Sequence, residues 1–196
     1  SPMRFRADTT YYISGNFTIS GAIFEGGSVL KYAPGASLAV DSAISEETGT
    51  FRPVIFTAAT DDSVGEPVNL GTSTFPRPPP TGTFGSPCLW IRGAGSGSAY
   101  PCTLDASNFR FAHAFIGLRL HGGPNHTLRN TQFRDCTTAI ELIGSSGQTL
   151  NASIFNGLVV RCTNAFAASG AMVNLKAQHM TIAGAQRIRD GGSEEH

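Results

Sequence analysis

The sequence has few charged residues and almost no lysine. Only 14% of its 196 residues are Asp, Glu, Lys or Arg, against about 25% in an average globular domain. Lysine occurs only at Lys31 and Lys176; with twelve arginines the basic total is 14, which 14 acidic residues balance. Because the net charge is zero and no large basic field is present, nucleic acid is not expected as a partner.

Long apolar segments and helical periodicity are also missing. The longest stretch without a charge, residues 142–160, is interrupted by serines, asparagines and a glutamine. A membrane-spanning helix needs about 20 predominantly apolar residues, so we expect no membrane insertion. No signal peptide is visible, and the opening Ser1-Pro2-Met3 looks like an expression remnant. The chain is interpreted as a mature protein or an excised domain, either a monomer or part of a larger chain.

Glycine and proline are abundant instead, with 23 and 11 residues, and 40% of the chain is hydrophobic. This composition favours a β-rich fold with a true core. The second half of the chain repeats at spacings of 24, 26 and 21 residues when four apolar residues are aligned, namely Leu104, Leu128, Ile154 and Leu175. Apolar residues recur five positions later, and small residues recur eight positions later, at Ala112, Cys136, Cys162 and Ala183.

The repeats predict a stack of coils. Each repeat is expected to contain two or three short strands whose apolar side chains alternate inward. Successive coils then stack at the strand spacing of about 4.8 Å, so that like residues lie on like residues. One coil cannot bury its apolar side alone, which explains why several copies are present.

An apolar strand, a polar or Cys turn and a second strand follow one another in three segments, residues 108–120, 132–142 and 157–166. In this they resemble the right-handed parallel β-helix proteins of the pectate-lyase-like superfamily, and the first half resembles the opening coils of bacterial extracellular members. The resemblance implies an all-β fold, a single-stranded right-handed parallel β-helix of about seven or eight coils, with residues 1–196 as one domain.

One segment departs from the repeats. Residues 66–86 are irregular, and the consecutive prolines Pro78, Pro79 and Pro80 exclude both a helix and an interior strand. We predict a long loop that leaves one coil, with residues 72–84 dispensable for folding. Residues 190–196 are expected to form a polar tail.

Four cysteines allow three full pairings. By analogy with other bridges that close loops, a disulfide between Cys88 and Cys102 is expected around the Gly/Ser-rich segment 93–98. Cys136 and Cys162 share a repeat position in neighbouring coils. Stacked side chains lie about 5 Å apart, slightly beyond disulfide geometry, so two buried free thiols are favoured over a second disulfide.

Asp61 and Asp62, followed by Gly65-Glu66, form an oxygen-rich turn that is a candidate Ca²⁺ site, although the spacing does not match an EF-hand loop. The alternative is a polar turn after a buried strand. No other cofactor is expected.

Arginines and aromatic residues are the candidate ligand-binding groups. Arg110 and Arg134 share one repeat position, and Arg129 shares another with Asp105 and Lys176. Rows of arginine bind carboxylates bidentately, as an acidic sugar requires; a solvated face is the alternative. Trp90 and Tyr100 lie near the irregular loops and are candidates for stacking on sugar rings, although Trp90 equally fits the core.

No catalytic residue is predicted. Glycoside hydrolysis needs two carboxylates about 5–9.5 Å apart, whereas Asp105, Asp135 and Glu141 fall at three different repeat positions. The sequence favours a non-catalytic extracellular or cell-surface module for adhesion, carbohydrate binding or structural spacing, with a polysaccharide or cell-surface glycan as partner. The alternative is a polysaccharide lyase or glycoside hydrolase that acts on an acidic polysaccharide, or a degenerate relative of one.

Overall fold

The computed structural model describes residues 1–42, 44–71, 75–92, 102–123, 125–170, 172–184 and 187–190. All regular secondary structure in these ranges is β. The described part of the chain therefore contains no helix that is long and apolar enough to cross a membrane.

Within the described ranges, twenty-one strands form seven coils of three strands each. The first three coils contain β1 (Met3–Phe5), β2 (Thr10–Ile13), β3 (Asn16–Ile19), β4 (Ala22–Glu25), β5 (Val29–Tyr32), β6 (Ser37–Val40), β7 (Ile44–Glu47), β8 (Val54–Ala58) and β9 (Leu89–Arg92). The last four contain β10 (Asp105–Ser107), β11 (Phe109–Ala112), β12 (Ile116–His121), β13 (His126–Arg129), β14 (Gln132–Arg134), β15 (Thr138–Ile143), β16 (Leu150–Phe155), β17 (Leu158–Val160), β18 (Asn164–Ser169), β19 (Val173–Gln178), β20 (Thr181–Ala183) and β21 (Arg187–Asp190).

The coils stack into a parallel β-solenoid with three faces, as the sequence predicts. Face 2 is one sheet in the order β2-β5-β8-β11-β14-β17-β20, and face 3 is one sheet in the order β3-β6-β9-β12-β15-β18-β21. Face 1 consists of two sheets, β1-β4-β7 and β10-β13-β16-β19. Strands that pair within these sheets are parallel.

Alternation along each strand places the core inside the coils. In β12, for example, Leu118 and Leu120 are buried, whereas Arg119 and His121 are directed outward. Phenylalanines from successive coils stack within the core. The rings of Phe56 and Phe111 are 4.5 Å apart between centroids, and those of Phe111 and Phe133 are 4.9 Å apart and nearly parallel. These distances are close to the strand spacing of about 4.7–4.9 Å, so the aromatic column follows directly from the stacking of the coils.

Two columns of single-residue turns bend the last four coils. The turn from face 1 to face 2 is made by Asn108, Asn130, Asn156 and His179, which have φ between 52° and 59°. The turn from face 2 to face 3 begins at His113, Asp135, Arg161 and Gly184, also with positive φ. Asparagine and aspartate tolerate this left-handed conformation better than most residues, which explains why they recur at these corners.

The structure corrects the repeat alignment by two residues. Leu128 is in register with Ala106 and Ile154, not with Leu104. Arg110 is in register with Gln132, and Arg134 with Ala112, so the two arginines do not form a row. Likewise, the register partner of Asp105 is Thr127 and not Arg129. A slip of two residues keeps every side chain on the same side of its strand, so apolar periodicity alone does not detect it.

The expected disulfide between Cys88 and Cys102 is absent: both residues are buried free thiols. Cys88 lies immediately before β9, beside the beginning of β6, because Leu89 is in register with Leu38. The thiol of Cys102 donates to the carbonyl of Ser42, beyond the end of β6. The length of a four-residue strand, about 13 Å, therefore separates the two cysteines, which is more than a disulfide bridges.

Cys136 and Cys162 are free thiols in neighbouring coils, in agreement with the preferred expectation. Thr163 N–H donates to the carbonyl of Cys136, which places the two cysteines side by side. A hydrogen bond between the thiols, together with burial, raises the pKa of Cys136. Neutral buried thiols are unreactive, so the pair packs as small apolar groups.

Substitution of Leu128 tests the stacked core. Its side chain is fully buried, and Leu128→Asp places a charge without a partner in a dry interior. We expect this variant to be unfolded and Leu128→Ala to lose about 2–5 kcal/mol of unfolding free energy, as measured by chemical denaturation. The control is Arg129→Gln at the adjacent exposed position, which should change stability little. Unchanged stability of Leu128→Asp would contradict the register described above.

Candidate functional site

One cleft lies between the proline-rich loop and the corner turns that follow face 2. Two adjoining cavities of about 400 and 460 Å³ occupy it. We name it the loop groove and define it by His113, Arg134, Asp135, Arg161, Thr137 and Thr163 on the coil side and Asp61, Asp62, Pro79 and Pro80 on the loop side. Cavities of this size are typical of small-ligand sites.

A buried ion pair attaches the loop to the coil. Arg77 binds Asp62 through its backbone N–H (2.8 Å to Oδ2), its Nε (3.1 Å to Oδ2) and its Nη2 (2.6 Å to Oδ1). Both side chains are more than nine-tenths buried. Nη2 also donates to the carbonyl of Ala59. The pair thus joins the loop to the coil, and the dispensability of residues 72–84 for folding stays a prediction.

Further along, the loop returns to the stack at Phe84. This residue forms an isolated parallel bridge with Ala114, and its N–H donates to the carbonyl of His113. Its ring packs against the core. The loop is thus fixed at both ends, at Arg77 and at Phe84, and the groove between these points has a defined wall.

Asp61 belongs to a buried polar cluster beneath the groove. Its carboxylate accepts hydrogen bonds from Thr57 Oγ1 (2.7 Å), Ser63 N–H (3.1 Å) and Ser63 Oγ (2.5 Å). Burial raises the pKa of Asp61, but these hydrogen bonds outweigh it and keep the pKa below its usual value. Lys31, fully buried, donates from Nζ to the backbone carbonyl of Asp61 at 2.6 Å, and burial lowers the pKa of this lysine.

The oxygens that were predicted to bind Ca²⁺ therefore have protein partners. The carboxylate of Asp62 is bound by Arg77, and that of Asp61 by Thr57 and Ser63. Within the described ranges, no group of three or more His, Cys, Asp or Glu residues has the arrangement of a metal site.

Three corner residues stand one above another along the groove. His113, Asp135 and Arg161 begin the turns of successive coils, and backbone hydrogen bonds hold the turns in register. Arg161 donates to both oxygens of Asp135, at 2.6 and 2.8 Å, and Arg134 Nε lies 3.3 Å from the same carboxylate. The hydrogen bonds from Arg161 lower the pKa of Asp135.

The imidazole of His113 is almost completely buried beside this row. Burial lowers its pKa, and the charges of Asp61 and Asp135 only partly oppose the effect. At neutral pH the imidazole is therefore uncharged, and the groove combines one neutral histidine with ionised carboxylates and guanidinium groups.

The structure does not bring the other predicted ligand-binding residues to this groove. Arg129 pairs with Asp105 on the exterior of face 1. Arg110 lines a separate cavity between faces 1 and 2. Tyr100 lies outside the described residues. Of the predicted arginines, only Arg134 is in the loop groove.

Trp90 is directed outward from face 3 and is not part of the core, since its neighbours Leu89 and Ile91 are the buried residues. The guanidinium carbons of Arg92 and Arg119 lie 5.3 and 5.2 Å from the centre of its indole ring. At this distance the interaction is of the cation–π type. The indole ring of Trp90 thus packs against two arginines on the surface of face 3.

Sequence reasoning missed Arg77, His113 and Arg161 as groove residues. Arg161 and Asp135 share a repeat position, directly before Cys162 and Cys136, but the repeat does not show that the loop faces this column. Arg77 lies 15 residues from its partner Asp62 in a segment without periodicity, so no pattern in the sequence indicates the pairing.

Comparisons with known proteins give no further information about the site: no protein-family model, no curated protein and no solved structure matches the chain.

The Asp62–Arg77 pair predicts a specific pH dependence of stability. Hydrogen bonds from Arg77 lower the pKa of Asp62 to about 2, from an unfolded value of about 3.9. A depressed pKa stabilises the fold above the unfolded pKa, and this contribution is lost as the pH falls from about 4 to about 2. We expect Asp62→Asn to lower the unfolding free energy at pH 7 by about 1–3 kcal/mol.

Urea denaturation at about pH 7, 4 and 2.5 measures this effect. The difference between the unmodified protein and Asp62→Asn should shrink towards the lowest pH. The control is Asp8→Asn, which removes the carboxylate from the exposed pair with Arg52 and should change stability by less than about 1 kcal/mol. Equal stability of the Asp62 variant and the unmodified protein at pH 7 would show that the pair does not anchor the loop.

Proposed function

We propose that the protein is a non-catalytic extracellular or cell-surface module of pectate-lyase-like type that binds an acidic polysaccharide in the loop groove. The observation that carries the proposal is the position of Arg134 and Arg161. Both side chains are about half exposed, at 51% and 59%, and both contact Asp135 on the coil wall of the groove. They come from neighbouring coils, so they meet a ligand that extends along the solenoid.

The donors of these arginines suit the carboxylates of an acidic sugar. A guanidinium group has five N–H donors in a planar fork that binds carboxylates bidentately. Asp135 takes two donors of Arg161, which leaves three for a ligand. The hydroxyls of Thr137 and Thr163 and the apolar rings of Pro79 and Pro80 complete the lining, and a sugar ring presents both hydroxyl and C–H groups to such a surface.

The pKa values of the carboxyl groups support a function in binding without catalysis. A glycosidase needs one carboxylic acid that stays protonated near neutral pH, and such a group has a raised pKa. Among the described residues, every carboxyl group whose pKa departs from its usual value is shifted downward, namely Glu25, Glu46, Asp61, Asp62 and Asp135. None of these groups is a proton donor for a leaving group.

One observation favours a second candidate, a polysaccharide lyase. His113 is neutral because burial lowers its pKa, and a neutral imidazole in a groove can accept a proton from a sugar. In this reading Arg134 and Arg161 neutralise the sugar carboxylate. Substitution of His113 therefore distinguishes the enzyme from the binding module.

An extracellular location is compatible with the four free cysteines. All four are buried, and burial raises the pKa of Cys102 to about 11 and that of Cys88 still further. Thiols in such surroundings react slowly with oxidants. Burial of Cys88 and Cys102 is therefore compatible with an oxidising surrounding.

Binding of polygalacturonate and alginate tests the proposal, for example by affinity electrophoresis. The double variant Arg134→Ala, Arg161→Gly should bind at least about tenfold more weakly, because charged hydrogen bonds are lost; glycine suits the positive φ of residue 161. The matched control Arg129→Ala removes another arginine that pairs with an exposed carboxylate and should bind normally. Binding should also weaken as salt increases.

Cleavage of polygalacturonate and alginate is measured on the same samples. The variant His113→Asn tests whether any cleavage depends on the imidazole. We expect no cleavage of either polymer. Cleavage that disappears in His113→Asn would establish the lyase instead, and the absence of binding to both polymers would refute the role of the loop groove.

A further inference from the structure

A second groove follows the corner between faces 1 and 2 and has a different chemistry. Eleven residues line its cavity of about 440 Å³. None of them is acidic, and only Arg110 is charged. We name it the amide groove and define it by Asn108, Asn130, Asn156, Gln132, Thr131 and Arg110. We propose that the amide groove is a binding site for an uncharged polysaccharide.

The amides form a regular row along the solenoid axis. Asn108, Asn130 and Asn156 make the corner turn in three successive coils, each with positive φ. Asn156 Nδ2 donates to Asn130 Oδ1 at 2.7 Å, and Asn108 Nδ2 donates to Thr48 Oγ1 at 3.2 Å. Asn108 Nδ2 also donates to Ser107 Oγ at 3.3 Å. Each amide has two N–H donors and a carbonyl oxygen with two lone pairs, so these bonds leave an acceptor on Asn108 and both donors and acceptors on Asn130 and Asn156.

The carboxamide groups of this row are suited to bind hydroxyl groups rather than charged groups. A sugar hydroxyl both donates and accepts, and a carboxamide does the same. An acidic chain would find one cation here, Arg110, against the two exposed arginines of the loop groove. Thr131 also lines the cavity; its side chain is completely buried, and its hydroxyl has no hydrogen-bond partner among the described residues.

The spacing of the row also fits an extended chain of sugars. Coils repeat at the strand spacing of about 4.7–4.9 Å, which is close to the advance of one pyranose unit along an extended polysaccharide. Successive sugars therefore meet equivalent amides on successive coils. Pro53, Gly157 and Leu158 provide apolar surface beside them, suitable for the C–H groups of the rings.

Two substitutions remove the amides without disturbing the coil. Asn130→Gly keeps the left-handed turn, because glycine adopts positive φ freely, and Gln132 is exposed on its strand, so that Gln132→Ala leaves the core intact. The matched control is Asn174→Ala, which removes an exposed amide that pairs with Asn151 in the same manner, on face 1 and outside the groove.

Affinity electrophoresis with soluble xylan and hydroxyethylcellulose measures the predicted binding. We expect the double variant Asn130→Gly, Gln132→Ala to bind these neutral polymers at least about tenfold more weakly, since several hydrogen bonds are lost. Asn174→Ala should bind normally. The variant Arg134→Ala, Arg161→Gly should also bind neutral polymers normally, so that failure of the loop groove and failure of the amide groove are told apart.

Salt distinguishes the two grooves further, because binding of neutral chains through amides should not change between low and high ionic strength. No binding to either neutral polymer, or equal binding by the unmodified protein and the Asn130→Gly, Gln132→Ala variant, would overturn the proposal.

Discussion

The stacking of one coil on the next is the constraint on which the rest of the structure depends. Backbone pairing fixes the distance between neighbouring coils, and Phe56, Phe111 and Phe133 fill the interior at that distance. Once the register is set, every outward side chain has a fixed neighbour above and below. The ion pairs and the amide row on the exterior are thus consequences of a core that allows one register only.

The loop groove arises where this regularity is interrupted. Between β8 and β9 the chain leaves the stack, and its return at Phe84 encloses the corner residues His113 and Asp135. The buried pair of Asp62 and Arg77 gives the excursion a defined shape. Regular coils therefore supply the arginines of the proposed site, and the irregular segment supplies the opposite wall.

Apolar and small residues predicted the fold well, because they report directly on which side of a strand is buried. Seven parallel coils, the inward position of Leu128 and the excursion at the prolines agree with the structure. The register of Leu128 with Ile154 was correct, whereas Leu104 and Leu175 were each misplaced by two residues, since alternation is blind to such a slip. The spacing of Asn108, Asn130 and Asn156 carries the correct register, because a corner with positive φ favours asparagine. The contact of Arg77 depends on the tertiary path of a loop and has no local signal.

Face 1 differs from the other two in being divided between β7 and β10. Side chains bridge the division: Ser107 Oγ donates to Glu46 Oε1 at 2.6 Å, and Thr48 Oγ1 donates to the carbonyl of Ser107 at 3.0 Å. In a repeat protein, the strength of each interface between neighbours determines where the array separates. In the part of the chain that the structure describes, two ladders and a few side chains join three coils to four, so we expect a force along the axis to part the solenoid first at this seam.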